Sequence, residues 1–250
     1  MNFSIIKRTL GWLLLFEAIF MLVPTATALV YEEWSALYAI LASIGACLLV
    51  GLLCLIGKAK SDSLYAKEGM VIVASSWIVL SLFGALPFWF SREIPAYIDA
   101  LFEAASGFTT TGATILTGEV AAGTADGYLA MSKSLLMWRS FTHWVGGMGV
   151  LVFIMAFLPL SGARNMHIMK AESPGPIVGK LVPKVRTTAK ILYLIYFCLT
   201  ALEFSFLLCG NMPVFDALNT AFATAGTGGF SIKADGLAGY SVYLQIVVIV

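Results

Sequence analysis

The sequence predicts an all-α polytopic membrane protein in which an extra helix pair precedes two tandem repeats of helix, short re-entrant helix, loop and helix. Three observations predict this fold class. The 250 residues are 60% hydrophobic and only 12% charged, whereas a soluble domain carries about 25% charged residues. Several apolar stretches approach the roughly 20 residues that a helix needs to cross a bilayer. One pattern of short helix and glycine-bearing loop occurs twice.

Six apolar stretches are candidates for membrane spans, at 10–30, 35–57, 69–90, 134–160, 190–210 and 241–250. The first five are long enough to cross the hydrocarbon core. The sixth, "SVYLQIVVIV", would leave its last carbonyls unpaired in lipid. The sequence is therefore expected to be a fragment of a longer chain.

The first apolar stretch allows two interpretations. Lys7 and Arg8 precede an apolar run that ends near Ala26-Thr27-Ala28, as in a signal peptide with its cleavage site. Glu17 within the run, and the length of the run, favour a helix that is retained in the mature protein.

The distribution of basic residues predicts the orientation, because cytoplasmic loops are enriched in Lys and Arg. With the N-terminus in the cytoplasm, the inside segments hold eleven of the 15 basic residues: Lys7, Arg8, Lys58, Lys60, Lys67, Arg164, Lys170, Lys180, Lys184, Arg186 and Lys190. Most acids then lie outside. We expect them to form a vestibule that concentrates cations.

Two outside segments contain an internal repeat. "YIDALFEAASGF" and "VFDALNTAFATA" are apolar, too short to span, and suited to re-entrant helices. Each carries an aspartate near its start, Asp99 or Asp216, where the positive end of a helix favours an acid. When the aspartates are aligned, Gly112 falls on Gly229 without a gap. The predicted units are a helix pair at 1–57, a first repeat at 69–160, a cytoplasmic loop at 161–189 and a truncated second repeat at 190–250.

The loops after these helices, "TTTGAT" and "GTGGFS", could be ordinary turns. Irregular backbone at membrane depth survives, however, only where it is buried or lines a water-filled cavity. The negative ends of the short helices and the loop carbonyls together suit a dehydrated cation. We therefore predict an ion-conducting filter made of Thr110, Thr111, Gly112, Ala113, Thr227, Gly228, Gly229 and Phe230.

Charged residues within the apolar stretches are candidates for support of the short helices. Arg139 is expected to pair with Glu103 or another outer acid, and Glu203 to anchor the second short helix. Glu203 and Glu17 are also candidates for a proton relay, although no partner for Glu17 is evident. The predicted support of the filter consists of Asp99, Glu103, Arg139, Glu203 and Asp216.

Other chemistries find little support in the sequence. The four cysteines lie in apolar stretches and are expected to be buried, and His143 and His167 are isolated, so neither a disulfide framework nor a metal site is predicted. No nucleophile–base pair indicates an enzyme, and no basic aromatic patch indicates binding of nucleic acid. The glycines of "HWVGGMGVL" favour close helix packing or a kink.

Four segments resemble the Trk/Ktr/HKT superfamily of potassium transporters: "SGFTTTGAT", "WRSFTHWVGGMGVLV", "AESPGPIVGKLVPKVRTTAKILY" and "ATAGTGGFS". The resemblance implies four helix–pore-loop–helix repeats, arranged as in a potassium channel, of which this sequence contains two. It implies one filter glycine per repeat, here Gly112 and Gly229. It also implies a bacterial inner-membrane location, a homodimer, and K⁺ held at Thr110, Thr111, Gly112, Thr227, Gly228 and Gly229.

The basic loop at 161–189 fits a simple positive-inside linker. The resemblance implies instead a docking surface for a cytoplasmic TrkA-like nucleotide-binding gating subunit, with Lys170, Lys180, Lys184 and Arg186 as the contacts. No organic cofactor is expected. The sequence thus predicts the potassium-translocating subunit of an uptake system. The alternatives are a sodium-permeable or ion-coupled monovalent cation transporter, and a non-conducting membrane scaffold.

Overall fold

The computed structural model describes residues 3–56, 66–116, 127–149 and 185–249. These residues form helices, with an isolated antiparallel bridge between Tyr128 and Lys233. The helices, numbered among the described residues, are α1 Phe3–Phe20, α2 Leu22–Val30, α3 Trp34–Leu55, α4 Ala66–Gly84, α5 Leu86–Phe90, α6 Tyr97–Phe108, α7 Lys133–Gly147, α8 Val185–Cys209, α9 Val214–Ala225 and α10 Val242–Ile249.

Four helical segments are long and apolar enough to cross a membrane: Phe3–Val30, Trp34–Leu55, Glu68–Phe90 and Ala189–Cys209. They correspond to four of the predicted spans, and the first begins earlier than expected. The predicted span at 134–160 begins with α7, and its part beyond residue 149 lies outside the described residues. The predicted span at 241–250 contains the eight residues of α10.

Two of the membrane segments are divided by a proline. Pro24 lies near the start of α2, and Pro87 is the second residue of α5. Proline has no backbone N–H and its ring crowds the preceding turn, so a helix kinks there. The backbone still pairs across both junctions, through Met21 N to Glu17 O at 3.0 Å and Ala85 N to Ser81 O at 3.1 Å.

The first helix pair packs through small residues. A methyl group built on Gly11 of α1 would lie 2.9 Å from the carbonyl oxygen of Gly51 in α3, and one on Gly51 would lie 3.1 Å from the Gly11 oxygen. Glycines of this kind let two membrane helices approach closely, where dispersion contacts stabilise them.

The prediction of four buried cysteines is wrong for part of the set. Cys47 is buried in α3, but Cys198 and Cys209 in α8 are exposed and Cys54 is half-buried. The reason is that α8 presents most of its apolar surface outward, including Leu194 and Phe197. A membrane helix has no need to bury apolar side chains inside the protein, because lipid is itself apolar.

Helix α7 is central to the arrangement of the two repeats. It contacts both short helices, α6 and α9, and most of its residues are buried. The indole N–H of Trp138 donates to the Gly84 carbonyl at 2.9 Å, which fixes α7 against α4. The two loops that follow the short helices are therefore positioned from a common helix.

Candidate functional site

The two short helices have the same length and the same internal register. Helices α6 and α9 each contain 12 residues, and Asp99 and Asp216 each occupy the third position. Neither aspartate is an N-cap, because the caps are Ala96 and Pro213 without a side-chain hydrogen bond. Each carboxylate lies in the first turn, where the helix dipole favours negative charge.

Helix α6 ends in a pair of reverse hydrogen bonds. Thr111 N donates to Ser106 O at 2.9 Å, and Thr110 N donates to Gly107 O at 3.1 Å. This pattern is the Schellman motif, which satisfies carbonyls that the helix end leaves unpaired. It turns the chain sharply out of the helix and into the predicted filter loop.

Helix α9 ends in the same motif at the aligned positions. Gly228 N donates to Ala223 O at 3.0 Å, and Thr227 N donates to Thr224 O at 2.7 Å. The repeat that was recognised from sequence is thus a repeat of backbone hydrogen bonding as well.

The backbone angles of the two loops agree closely. Thr110 and Thr227 both have φ of 55°, and Gly112 and Gly229 have φ of 74° and 78°. A β-branched residue with positive φ is an outlier, and such strain persists where the surrounding structure enforces it. The glycines adopt the same region without that cost.

The two loops meet at their glycines. A methyl group built on Gly112 would overlap the carbonyl oxygen of Gly228. The same construction at Gly229 meets no atom of the described residues within 4 Å. The first loop therefore contacts the second in a way that only glycine at position 112 permits.

The predicted filter residues differ in exposure. Thr111, Ala113, Thr227 and Gly229 are exposed, and Thr110, Gly112 and Gly228 are half-buried. Phe230 is buried, with its ring centroid 4.0 Å from that of His143 and 3.6 Å from the guanidinium carbon of Arg139. Only the backbone of Phe230 is therefore available to an ion.

A buried ion pair supports the first loop. The Nε–H of Arg139 donates to Oε1 of Glu103, and the two side chains are 2% and 0% exposed. The hydroxyl of Thr114 donates to the Glu103 carboxylate at 2.9 Å, and Ile115 N donates to its Oε2 at 3.1 Å. The carboxylate on α6 thus fixes the chain just beyond the filter glycine, and the expected Glu103–Arg139 contact is present.

The same arginine reaches the second loop. Its Nη1 donates to the carbonyl oxygen of Ser231 at 2.7 Å, and its guanidinium covers the ring of Phe230. Arg139 belongs to the first repeat, yet it contacts the loops of both.

Asp216 supports the start of the second short helix. Its carboxylate is fully buried and accepts hydrogen bonds from the hydroxyls of Tyr128, at 2.5 Å, and Tyr240, at 2.6 Å. The ammonium of Lys233 lies 3.5 Å from its Oδ2. Burial and the neighbouring Asp216 raise the pKa of Tyr240, so this hydroxyl stays a donor. Asp99, the aligned residue, is exposed.

The two carboxylates that were candidates for a proton relay, Glu203 and Glu17, have few or no partners among the described residues. Glu203 contacts Thr224 of α9, but its Oε1 has no hydrogen-bond partner among the described residues. Glu17 is buried, and within the described ranges neither of its carboxylate oxygens has a partner.

His143 is a site residue that the sequence interpretation missed. A methyl group on Gly228 would overlap its imidazole, and one on Gly226 would overlap its backbone carbonyl. The signal that could have found it is spacing, because residues four apart share one face of a helix and His143 follows Arg139 by four. It lies directly against the second loop.

Several outer acids bind backbone amides. Glu33 accepts hydrogen bonds from Lys133 N and Ser134 N at 2.7 and 2.9 Å, and Glu93 accepts one from Ser132 N at 2.7 Å. These carboxylates cap α7 from other elements, where they satisfy unpaired N–H groups and complement the helix dipole. Glu33 and Glu93 thus have a structural role at the start of α7, and the acidic vestibule stays a prediction.

The structure does not describe the side chains of the predicted docking residues. Lys170, Lys180 and Lys184 lie outside the described residues, and Arg186 is described only as part of the backbone of α8.

The fold and the loops define a class: a helical membrane protein with tandem helix–pore-loop–helix repeats. The family model described as "TrkH: Cation transport protein" matches residues 37–250. The chain belongs to the TrkH family of cation transport proteins.

Individual relatives agree with this assignment. The chain is 37% identical over 243 residues to the Trk system potassium uptake protein TrkH of Salmonella typhimurium. The aligned region covers 96% of this chain and 48% of the relative. It is 31% identical over 245 residues to the Trk system potassium uptake protein TrkG of Escherichia coli, again covering 96% and 48%.

A solved structure shows the same fold. The crystal structure of the potassium transporter TrkH from Vibrio parahaemolyticus matches with a TM-score of 0.79 and 28% identity, covering 100% of this chain and 48% of that one. The chain thus spans about half the length of the relatives that it matches.

Proposed function

We propose that this chain forms part of the potassium-translocating subunit of a Trk-type uptake system. One observation carries the proposal: two short helices end in identical turns, and their loops meet at Gly112 and Gly228. A pair of unrelated surface turns would have no reason to share backbone angles, hydrogen bonds and a point of contact.

The mechanism follows from the cost of dehydration. A bare ion in a medium of low dielectric constant is less stable by tens of kcal/mol on the Born estimate, so oxygen atoms must replace its water. Backbone oxygens from Thr110 to Ala113 and from Thr227 to Phe230 would supply two sides of such a ring. The negative ends of α6 and α9 would add a favourable potential for a cation.

Further features of the proposal come from the family. Relatives are named as potassium uptake proteins, which supports K⁺ as the transported ion, moving inward across a bacterial inner membrane with the N-terminus in the cytoplasm. A homodimer and a cytoplasmic TrkA-like nucleotide-binding partner, docked on the loop at 161–189, complete the proposed assembly.

Rubidium uptake in cells that lack potassium transporters tests the proposal. Gly112→Asp and Gly229→Asp in the full-length protein should each abolish uptake, because a carboxylate in the filter would trap the cation and positive φ strains any side chain. Gly127→Asp is a matched control: this glycine also has positive φ, of 70°, and a methyl group built on it meets no atom of the described residues within 4 Å, but it lies outside the filter loops.

The outcomes separate the alternatives. Full uptake by both filter variants at normal expression would indicate a non-conducting scaffold. Uptake of sodium at a rate equal to that of rubidium would indicate a sodium-permeable transporter. A strict dependence of flux on a second ion would indicate coupled transport.

A further inference from the structure

The second repeat lacks the ion pair that supports the first. Glu103 and Arg139 each occupy the seventh position of their helices, α6 and α7. The seventh positions of the equivalent helices, α9 and α10, are Thr220 and Val248. Two neutral and smaller side chains therefore stand where the first repeat has a glutamate and an arginine.

A cavity of about 250 Å³ lies at this place. One face of α9 lines it, together with the chain that follows the second filter glycine and Val248 of α10; its polar lining includes Asn219, Thr220, Thr224 and Ser231. Water occupies roughly 30 Å³ per molecule in the liquid. The cavity has room for several water molecules.

Asn219 gives the cavity an unmet hydrogen-bonding requirement. Its side chain is 1% exposed, and its Nδ2 donates to the Phe215 carbonyl at 2.8 Å. Its Oδ1 has no partner among the residues that the structure describes. A buried acceptor left unpaired is destabilising, so a donor within the cavity is favoured.

The polar groups that line the cavity indicate what kind of molecule this donor is. The hydroxyl of Thr224 donates to Thr220 O and that of Ser231 donates to Lys233 O, both at 2.9 Å. Both hydroxyl oxygens keep lone pairs for a further donor. Every described residue that lines the cavity is uncharged, so a neutral molecule that both donates and accepts hydrogen bonds, as water does, matches the lining.

We infer that the cavity is a hydration site, in which a cluster of bound water molecules takes the place of the Glu103–Arg139 pair behind the second filter loop. The cluster satisfies Asn219 Oδ1 and contacts the segment from Gly229 to Ile232. The inference concerns bound water only, and it does not depend on whether the filter conducts potassium.

Hydroxyl-radical footprinting with X-rays tests the inference, because radicals formed from bound water oxidise adjacent side chains. The test uses the protein in lipid nanodiscs. Phe230 lines the cavity and Phe141 belongs to the main hydrophobic core, and both are 5% exposed. We expect Phe230 to be oxidised at least five-fold faster than Phe141. Equal rates would overturn the inference.

Two variants separate bound water from general exposure. Ala223→Leu should fill the cavity, and Asn219→Leu should remove the unpaired acceptor while keeping the side-chain volume similar. Each should lower the oxidation of Phe230 toward the rate of Phe141 and leave Phe141 unchanged. If Phe230 is oxidised at the unaltered rate in either folded variant, the cavity does not hold the water and the inference is wrong.

Discussion

The two repeats build the same loop on different supports. Both short helices end in a Schellman turn with a left-handed threonine, followed by a left-handed glycine two residues later. In the first repeat, a buried Glu103–Arg139 pair holds the chain beyond the glycine. In the second, Asp216 is held by two tyrosines at the opposite end of the helix. The two loops therefore have the same backbone conformation, whereas the side chains that support them differ.

Some side chains of the first repeat also contact the loop and the short helix of the second. Arg139 on α7 contacts Ser231 of the second loop, and Tyr128, which follows the first loop, contacts Asp216 of the second short helix. The bridge between Tyr128 and Lys233 adds a backbone connection. The second loop consequently depends on side chains from the first repeat, and the predictions below measure that dependence.

The largest effect is expected for Arg139→Gln. It leaves the Glu103 carboxylate buried without its charged partner, which typically costs about 3–5 kcal/mol, and it removes the donor to Ser231 O. The free energy of unfolding in detergent should fall by that amount. The double variant Glu103→Gln/Arg139→Gln should lose less than the sum of the single changes, because no charge is then left unpaired; additive losses would contradict this account.

A smaller and unequal effect is expected for alanine at the two filter glycines. Positive φ costs an L-residue about 1–2 kcal/mol at either position. Only at Gly112 does the added methyl group also overlap the Gly228 carbonyl, and overpacking of this kind adds about 1–3 kcal/mol. Gly112→Ala should therefore lower the melting temperature and rubidium uptake more than Gly229→Ala does. Equal losses would show that the two loops do not touch.

Neutralising the two aligned aspartates should also lower stability unequally, and the difference between the two losses should be similar to that for the glycines. Asp216→Asn places an amide group against hydroxyl and ammonium donors, and hydrogen bonds to a charged group contribute about 1.5–3 kcal/mol. Asp99→Asn changes an exposed side chain and should stay within about 0.5 kcal/mol. Thermal unfolding of both variants gives the comparison, and an equal loss at Asp99 would argue against burial as the cause.

The sequence was sufficient for the parts of the fold that depend on local pattern. Hydrophobic length predicted five complete membrane spans, four of which correspond to the membrane-long helices that the structure describes, and the alignment of Asp99 with Asp216 predicted two short helices of identical register. Proline and glycine positions explain where helices bend and loops turn. These features arise from chemistry within a few residues of each position, so a single sequence contains them.

Contacts between distant segments were harder to predict from the sequence. The pairing of Glu103 with Arg139 was predictable because only a few charges lie in the apolar stretches. The location of His143 against Gly228, and the hydrogen bond from Tyr128 to Asp216, depend on how α7 packs between α6 and α9. The capping role of Glu33 was missed for the same reason, since nothing in the sequence indicates that this carboxylate caps a distant helix.

The smallest effects, from the tyrosines that hold Asp216, test the crossing between repeats most directly. Tyr128→Phe and Tyr240→Phe each remove one hydroxyl donor and keep the aromatic ring, so each should cost about 1.5 kcal/mol, the low end of the range for one hydrogen bond to a charged group. Tyr128 follows the first loop and Tyr240 the second, and the carboxylate accepts one bond from each at nearly equal length. Similar losses would show that the second helix relies on both repeats alike.

The double variant completes this test. With both hydroxyls removed, the buried carboxylate keeps only the Lys233 ammonium at 3.5 Å among the partners described for it, so the cost of desolvating its charge is no longer offset. The combined loss should exceed the sum of the single losses, as expected for groups that share one acceptor. Strict additivity, measured as a double-mutant cycle of unfolding free energies, would mean that the two tyrosines act on Asp216 independently and would contradict this expectation.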